Sequence, residues 1–226
     1  MRRVIFSGWM GPNEMSESRS AALLSIVRNS AVPHMHLTAD TLANWIDPAV
    51  PFHRLFPLLS AVHKCDYLRC YMLHVHGGGY MDVKHTSKNW NPFFDLLERS
   101  PAYGVGYTEV GPEGIAEVGG ALQDEMQQNY AKIVGVCAMI FRRRTEFTAA
   151  WYKQLHEVID SKADQLLRNP ARHPQDSLGG LFTDDSVSQY PFPWTSVGGD
   201  IFHPLAYRYH QDILHADLAP SFENYR

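Results

Sequence analysis

The spacing of apolar positions changes along the chain, and each change marks an element. Arg3 to Phe6, apolar from Val4 on and ended by Ser7-Gly8, reads as a short buried strand. Ser16 or Ser18 is placed to cap a helix through Ala21, Leu24 and Val27 to about Asn29. Pro33 breaks that pattern, and residues 34–38 read as a second strand, followed by the turn chemistry of Asp47-Pro48 and Pro51. From 54 to about 76, Leu55, Leu58, Leu59, Val62, Asp66, Arg69, Leu73 and His76 recur every three or four residues. This predicts one long helix with a single stripe, with Pro57 in its first turn. Gly77-Gly78-Gly79 stops it, and 80–84 reads as a strand. A short helix over 90–97 and a strand over 102–110 follow, then a loop with one helical turn over 111–128. A very apolar strand covers 133–141. Thr145 starts a helix with Phe147, Trp151, Leu155 and Ile159 on one face, closing near Asn169-Pro170. Residues 172–226 carry turn residues and aromatics with little period.

Strands alternating with helices predict an α/β fold with a mostly parallel central sheet. With no repeat, linker or low-complexity stretch, one domain over residues 1–226 is expected. Such sheets bind ligands beyond the carboxyl ends of their strands. That nominates Ser7, Gly8, Trp9, Thr38, Asp40, residues 82–84 and Thr108-Glu109 as rim positions. Composition narrows the partners. Lys plus Arg is 20 against 24 Asp plus Glu, a net charge of −4, so no basic excess exists to cover a nucleic-acid backbone. Three cysteines, Cys65, Cys70 and Cys137, are too few for a disulfide framework and suit a reducing compartment. The basic start of the chain lacks the apolar stretch of a signal peptide, and no window approaches a membrane span. A cytoplasmic protein is expected.

The sharpest anomaly is Asp66 and Arg69 inside the apolar stripe. Their i, i+3 spacing puts a carboxylate and a guanidinium on one face, and burying either alone is costly. They form either a structural ion pair or a polar pair at a sugar or phosphate site. A glycine turn then feeds a strand ending in Asp82 and Lys84, which would point to one side. The glycines match neither GxGxxG nor a Walker loop, so a Rossmann dehydrogenase or an NTPase is not supported. His74-x-His76 points to two helix faces, and Arg142-Arg143-Arg144 reads as a solvated turn.

The run Cys65-Asp66-Tyr67-Leu68-Arg69, Tyr71-Met72-Leu73 and Gly77-Gly78-Gly79-Tyr80-Met81-Asp82 resembles the DXD-containing sugar-nucleotide glycosyltransferases of the GT-A fold, of the glycosyltransferase family 32 type. Its Gly-Gly-Gly-Tyr-x-Asp-x-Lys variant looks most like the capsid-glycosylating domains of large algal viruses. About two hundred residues thread onto this pattern, and the block from 66 to 82 is its specific part. The resemblance implies a retaining transferase moving a sugar from a UDP-sugar to a hydroxyl of a glycan or glycoprotein. The donor nucleotide would lie in about 1–110, and the acceptor side and a closing C-terminal loop in about 111–226. Asp66 would bind donor-sugar hydroxyls with Arg69 in support, Asp82 would match the first DXD aspartate, and Trp9 would stack on the uracil. Gly198 and Gly199 would lie over the diphosphate, and His203 would join Asp82 at a Mn2+ or Mg2+ ion. Lys84 replaces the second aspartate, so it is expected to stand in for part of the metal's charge. The alternative is a non-catalytic nucleotide-sugar or carbohydrate-binding module on the same fold.

Overall fold

The computed structural model describes residues 1–223. Six strands form one sheet in the order β2-β1-β3-β5-β4-β6: β1 is Ile5–Trp9, β2 His34–Thr38, β3 Gly78–Met81, β4 Gly104–Thr108, β5 Val134–Phe141 and β6 Ile213–His215. β1 pairs parallel with β2 and β3, and β4 parallel with β6; only β5, between β3 and β4, runs antiparallel. The sheet is therefore mostly parallel and compatible with a Rossmann-like fold. Helices flank it: α1 is Glu17–Asn29, α2 Ala61–Tyr71, α3 Asn91–Glu98, α4 Gly120–Gln128, α5 Glu146–Ser161, α6 Ala163–Arg168 and α7 Gly199–Arg208. Alternation along β1 feeds two cores. Phe6 joins Tyr67, Tyr71, Phe147, Trp151 and Phe202 on one face, and Ile5 joins Ile26, Trp90, Phe94 and Leu97 on the other. Among the described residues, no helix is long and apolar enough to cross a membrane.

The structure redraws several predicted elements. The stripe over 54–76 is not one helix. Phe56–Leu58 is a separate 3-10 turn holding Pro57, and Ser60 is extended (φ −62°, ψ 159°) and caps α2 by accepting from the His63 N–H. α2 then widens into a π turn over Met72–His76, closed by the Gly77 N–H on the Met72 carbonyl at 3.0 Å. Gly77 and Gly78 have φ of +67° and +110°, a region glycine enters without strain. A Cβ on Gly78 would sit 2.9 Å from the Val4 carbonyl oxygen, and one on Gly79 2.7 Å from the Trp90 ring. The glycines thus permit close backbone approach to the protein's own Val4, just before β1, and Trp90, just before α3. α4 and α7 replace predicted irregular stretches; the tail reading for 172–226 also takes in 224–226, which lie outside the described residues.

Candidate functional site

α2 lies across the carboxyl end of β1. Gly8 permits this, since a Cβ there would already touch Cys65 Sγ at 3.4 Å and Leu68 at 3.7 Å. Asp66 and Arg69 on α2 thereby face the chain just after β3. Arg69 is 4 % exposed, and its guanidinium forks between two carboxylates: Nη1 donates to Asp66 Oδ1 and Nη2 to Asp82 Oδ1, both at 2.7 Å. It also lies 4.9 Å from the centre of the Tyr80 ring. Asp82 is fixed by its N–H on the Cys137 carbonyl of β5 at 2.8 Å. One buried cation thus serves two carboxylates, and the group carries a formal charge of −1. Burial, with the Asp82 charge adding to it, raises the Asp66 carboxyl above its usual value, against the pull of Arg69.

The third wall comes from the far end of the chain. A Cβ built on Gly198 would stand 3.0 Å from the Asp66 carboxyl carbon and from Oδ2. Gly198 caps α7, and its N–H and that of Asp200 both donate to the Thr195 carbonyl, at 2.9 and 3.1 Å. The structure therefore brings Asp66, Arg69, Asp82 and Gly198 together. Trp9 and Thr38 pair in register at the end of β1 and β2. The Trp9 indole is half-buried, with Nε1 donating to the Asn13 carbonyl at 2.7 Å, and Asp40 lies in the exposed turn after β2.

Three expected site residues stand elsewhere. Ser7 is fully buried on the α1 face, its Oγ 2.9 Å from both His34 Nε2 and His36 Nδ1, so it is no rim hydroxyl. Lys84 does not share a strand face with Asp82: β3 ends at Met81, and the Lys84 N–H folds back on the Asp82 carbonyl at 2.6 Å. Its ammonium is buried 4.7 Å from the centre of the Phe222 ring. The cation on Asp82 is Arg69. His203 is 2 % exposed, and its Nδ1 accepts from the Ala116 N–H at 2.9 Å. In the neutral ring the proton is then on Nε2, which faces Glu109 Oε2 at 3.5 Å. No lone pair is left for a metal, so the pair Asp82 and His203 does not fit a divalent ion.

His63 is the residue that sequence reasoning passed over. It lies one turn before Asp66 and is fully buried, with Nδ1 2.9 Å from the Tyr190 hydroxyl and Nε2 3.1 Å from the Trp194 carbonyl. A carbonyl only accepts, so Nε2 carries the proton and Tyr190 donates to Nδ1. Burial lowers the His63 pKa. The available signal was its i, i+3 spacing to Asp66, on the flank of the same stripe. No protein-family model and no curated protein matches the chain.

Proposed function

We propose that the chain is a glycosyltransferase of GT-A type that moves a sugar from a nucleoside diphosphate sugar, a UDP-sugar first among them, to a hydroxyl of a glycan or glycoprotein. The observation that carries this reading is the Arg69 fork, which holds Asp66 and Asp82 from two different elements at the carboxyl end of parallel strands. Open α/β sheets bind ligands at that end. In this reading Asp66, which keeps Oδ2 towards Gly198, accepts hydroxyl hydrogen bonds from the donor sugar. Asp82 has 23 % of its side chain exposed and faces the ribose. Arg69 aims both carboxylates. Negative charge grows on the leaving diphosphate as the glycosidic bond breaks, and the Val197 and Gly199 N–H groups, rather than the engaged Ser196 and Gly198 ones, are the loop donors to meet it.

The test is a panel of nucleoside diphosphates and UDP-sugars, read by thermal shift and by release of UDP. A bound donor stabilises by about 2.7 kcal/mol at a hundredfold excess over its dissociation constant. The expected result is a shift with one sugar class, slow UDP release, and a loss of release of about a hundredfold in Asp66→Ala, roughly 3 kcal/mol. A shift without release favours the non-catalytic module, and no shift with any member ends the reading.

A further inference from the structure

The Trp194–Gly199 segment carries an indole that is 50 % exposed, yet buried side chains hold the segment at both ends. At its start the Trp194 carbonyl accepts from His63 Nε2, and His63 Nδ1 takes the proton of Tyr190, whose oxygen in turn accepts from the Ser60 N–H at 3.2 Å. The Tyr190 ring stacks on His63 with centroids 5.5 Å apart and planes 19° apart, and Phe192 meets the same imidazole edge-on at 6.0 Å. At its end, α7 is tied down by His203 Nδ1 on the Ala116 N–H. Between these anchors Gly198 rests on the Asp66 carboxylate. His63 and Asp66 share one face of α2, so the residue that pins the segment and the carboxylate beneath it belong to one rigid element.

We infer that His63 is a positioning residue. Through its two hydrogen bonds it sets the 194–199 segment at the height where Gly198 walls the Asp66 carboxylate, and so fixes the room left for the sugar hydroxyl that Asp66 binds. The role rests on the transferase reading for its consequence in turnover, while the mechanical part stands without it. The imidazole is suited because one neutral ring presents an acceptor and a donor on opposite sides. A glutamine offers the same pair through its amide oxygen and nitrogen. A leucine of similar bulk offers neither and leaves the Tyr190 hydroxyl and the Trp194 carbonyl without their partner.

The experiment compares wild type, His63→Gln, His63→Leu and Tyr190→Phe on the full chain. Three readouts are taken: amide hydrogen exchange at Gly198 and Asp200, UDP affinity, and hydrolysis of UDP-glucose as probe donor. In His63→Leu and Tyr190→Phe the two amides should exchange about tenfold faster or more, since local opening is now easier. Turnover of UDP-glucose should fall about tenfold and UDP affinity should fall less, because UDP keeps its contacts outside the segment while the sugar hydroxyl on Asp66 depends on it. His63→Gln should restore both exchange and turnover. Tyr190→Phe is nearly isosteric and keeps the test open if His63→Leu does not fold. Unchanged exchange in folded His63→Leu or Tyr190→Phe overturns the proposal, whatever the activity. A glutamine variant as loose as the leucine one overturns its hydrogen-bond basis. A wild type inert towards every UDP-sugar ends the transferase reading instead, and exchange still decides the positioning role.

Discussion

Arg69 is the residue on which the candidate site depends. Removing it leaves Asp66 and Asp82, both less than a quarter exposed, facing each other without a cation. Breaking a buried ion pair from one side typically costs about 3–5 kcal/mol, so Arg69→Met is expected to lower stability by that order in urea unfolding. Arg69→Lys should recover little of it, because a lysine cannot fork between two carboxylates held by different elements. Gly198 makes a complementary case. In Gly198→Ala the new methyl meets the Asp66 carboxyl at 3.0 Å, so the 194–199 segment must lift. The expected outcome is a modest loss of stability, about 1 kcal/mol, with a larger loss of UDP-sugar binding than of UDP binding. Equal losses for the two ligands would show that the methyl acts on the nucleotide side.

Among the elements, those with a strong single period were legible and those built on glycine, proline or capping geometry were not. β2 runs over the predicted 34–38, and α5 begins at the predicted Thr145 cap, whose Oγ1 accepts the Thr148 N–H at 3.1 Å. The 54–76 stripe hid a break, because Leu59 and Val62 keep the apolar spacing across Ser60, which leaves helical φ/ψ to cap α2. α7 was hidden by Gly198-Gly199 at its start and Pro204 inside it, residues that argue against a helix unless packing overrides them. α4 starts on the second of two glycines at φ +77° and +64° and buries only Met126, so its sequence shows no stripe. Within the site, the i, i+3 pairing of Asp66 and Arg69 was readable, but the bond from Arg69 to Asp82 was not. It depends on β3 ending at Met81, which frees Asp82 from strand alternation. The glycine turn gives a test at this scale. Because Gly79 packs on Trp90 at 2.7 Å from an added Cβ, Gly79→Ala should destabilise by about 1–3 kcal/mol. Thermal unfolding that matches wild type would show that the turn moves away from Trp90 without cost.

Across the whole molecule, histidines set the response to acid. His34, beside Ser7 and His36, and His156, against His53 and Tyr152, are both lowered to about 4, in each case mainly by burial. His36, His63 and His74 are lowered in the same direction for the same reason. Between about pH 4 and the unfolded value of 6.5 the folded chain binds fewer protons than the unfolded chain. Stability is therefore full above pH 6.5 and falls as the pH drops through that window. His34 and His156 each contribute at most about 3 kcal/mol at the acid end, less what water around these half-buried rings screens. Asp66, raised by burial, works in the opposite sense. Melting temperature measured from pH 7 to 4.5 should fall, and His34→Asn combined with His156→Gln should flatten the slope. A flat wild-type profile would mean that these rings meet water freely.

Gly198 also has a consequence for the order of events during synthesis. The carboxylates and their arginine lie within residues 66–82, but the wall against Asp66 is contributed by a glycine more than a hundred residues later. β6, which completes the sheet beside β4, comes later still at Ile213–His215. A nascent chain that has released β1, α2 and β3 thus holds the whole acidic cluster with one face open to water. Domains fold as units when their long-range contacts become available, and contacts of this separation form last. The enclosure of Asp66 therefore arrives abruptly, once residues 194–199 have emerged, rather than growing with chain length.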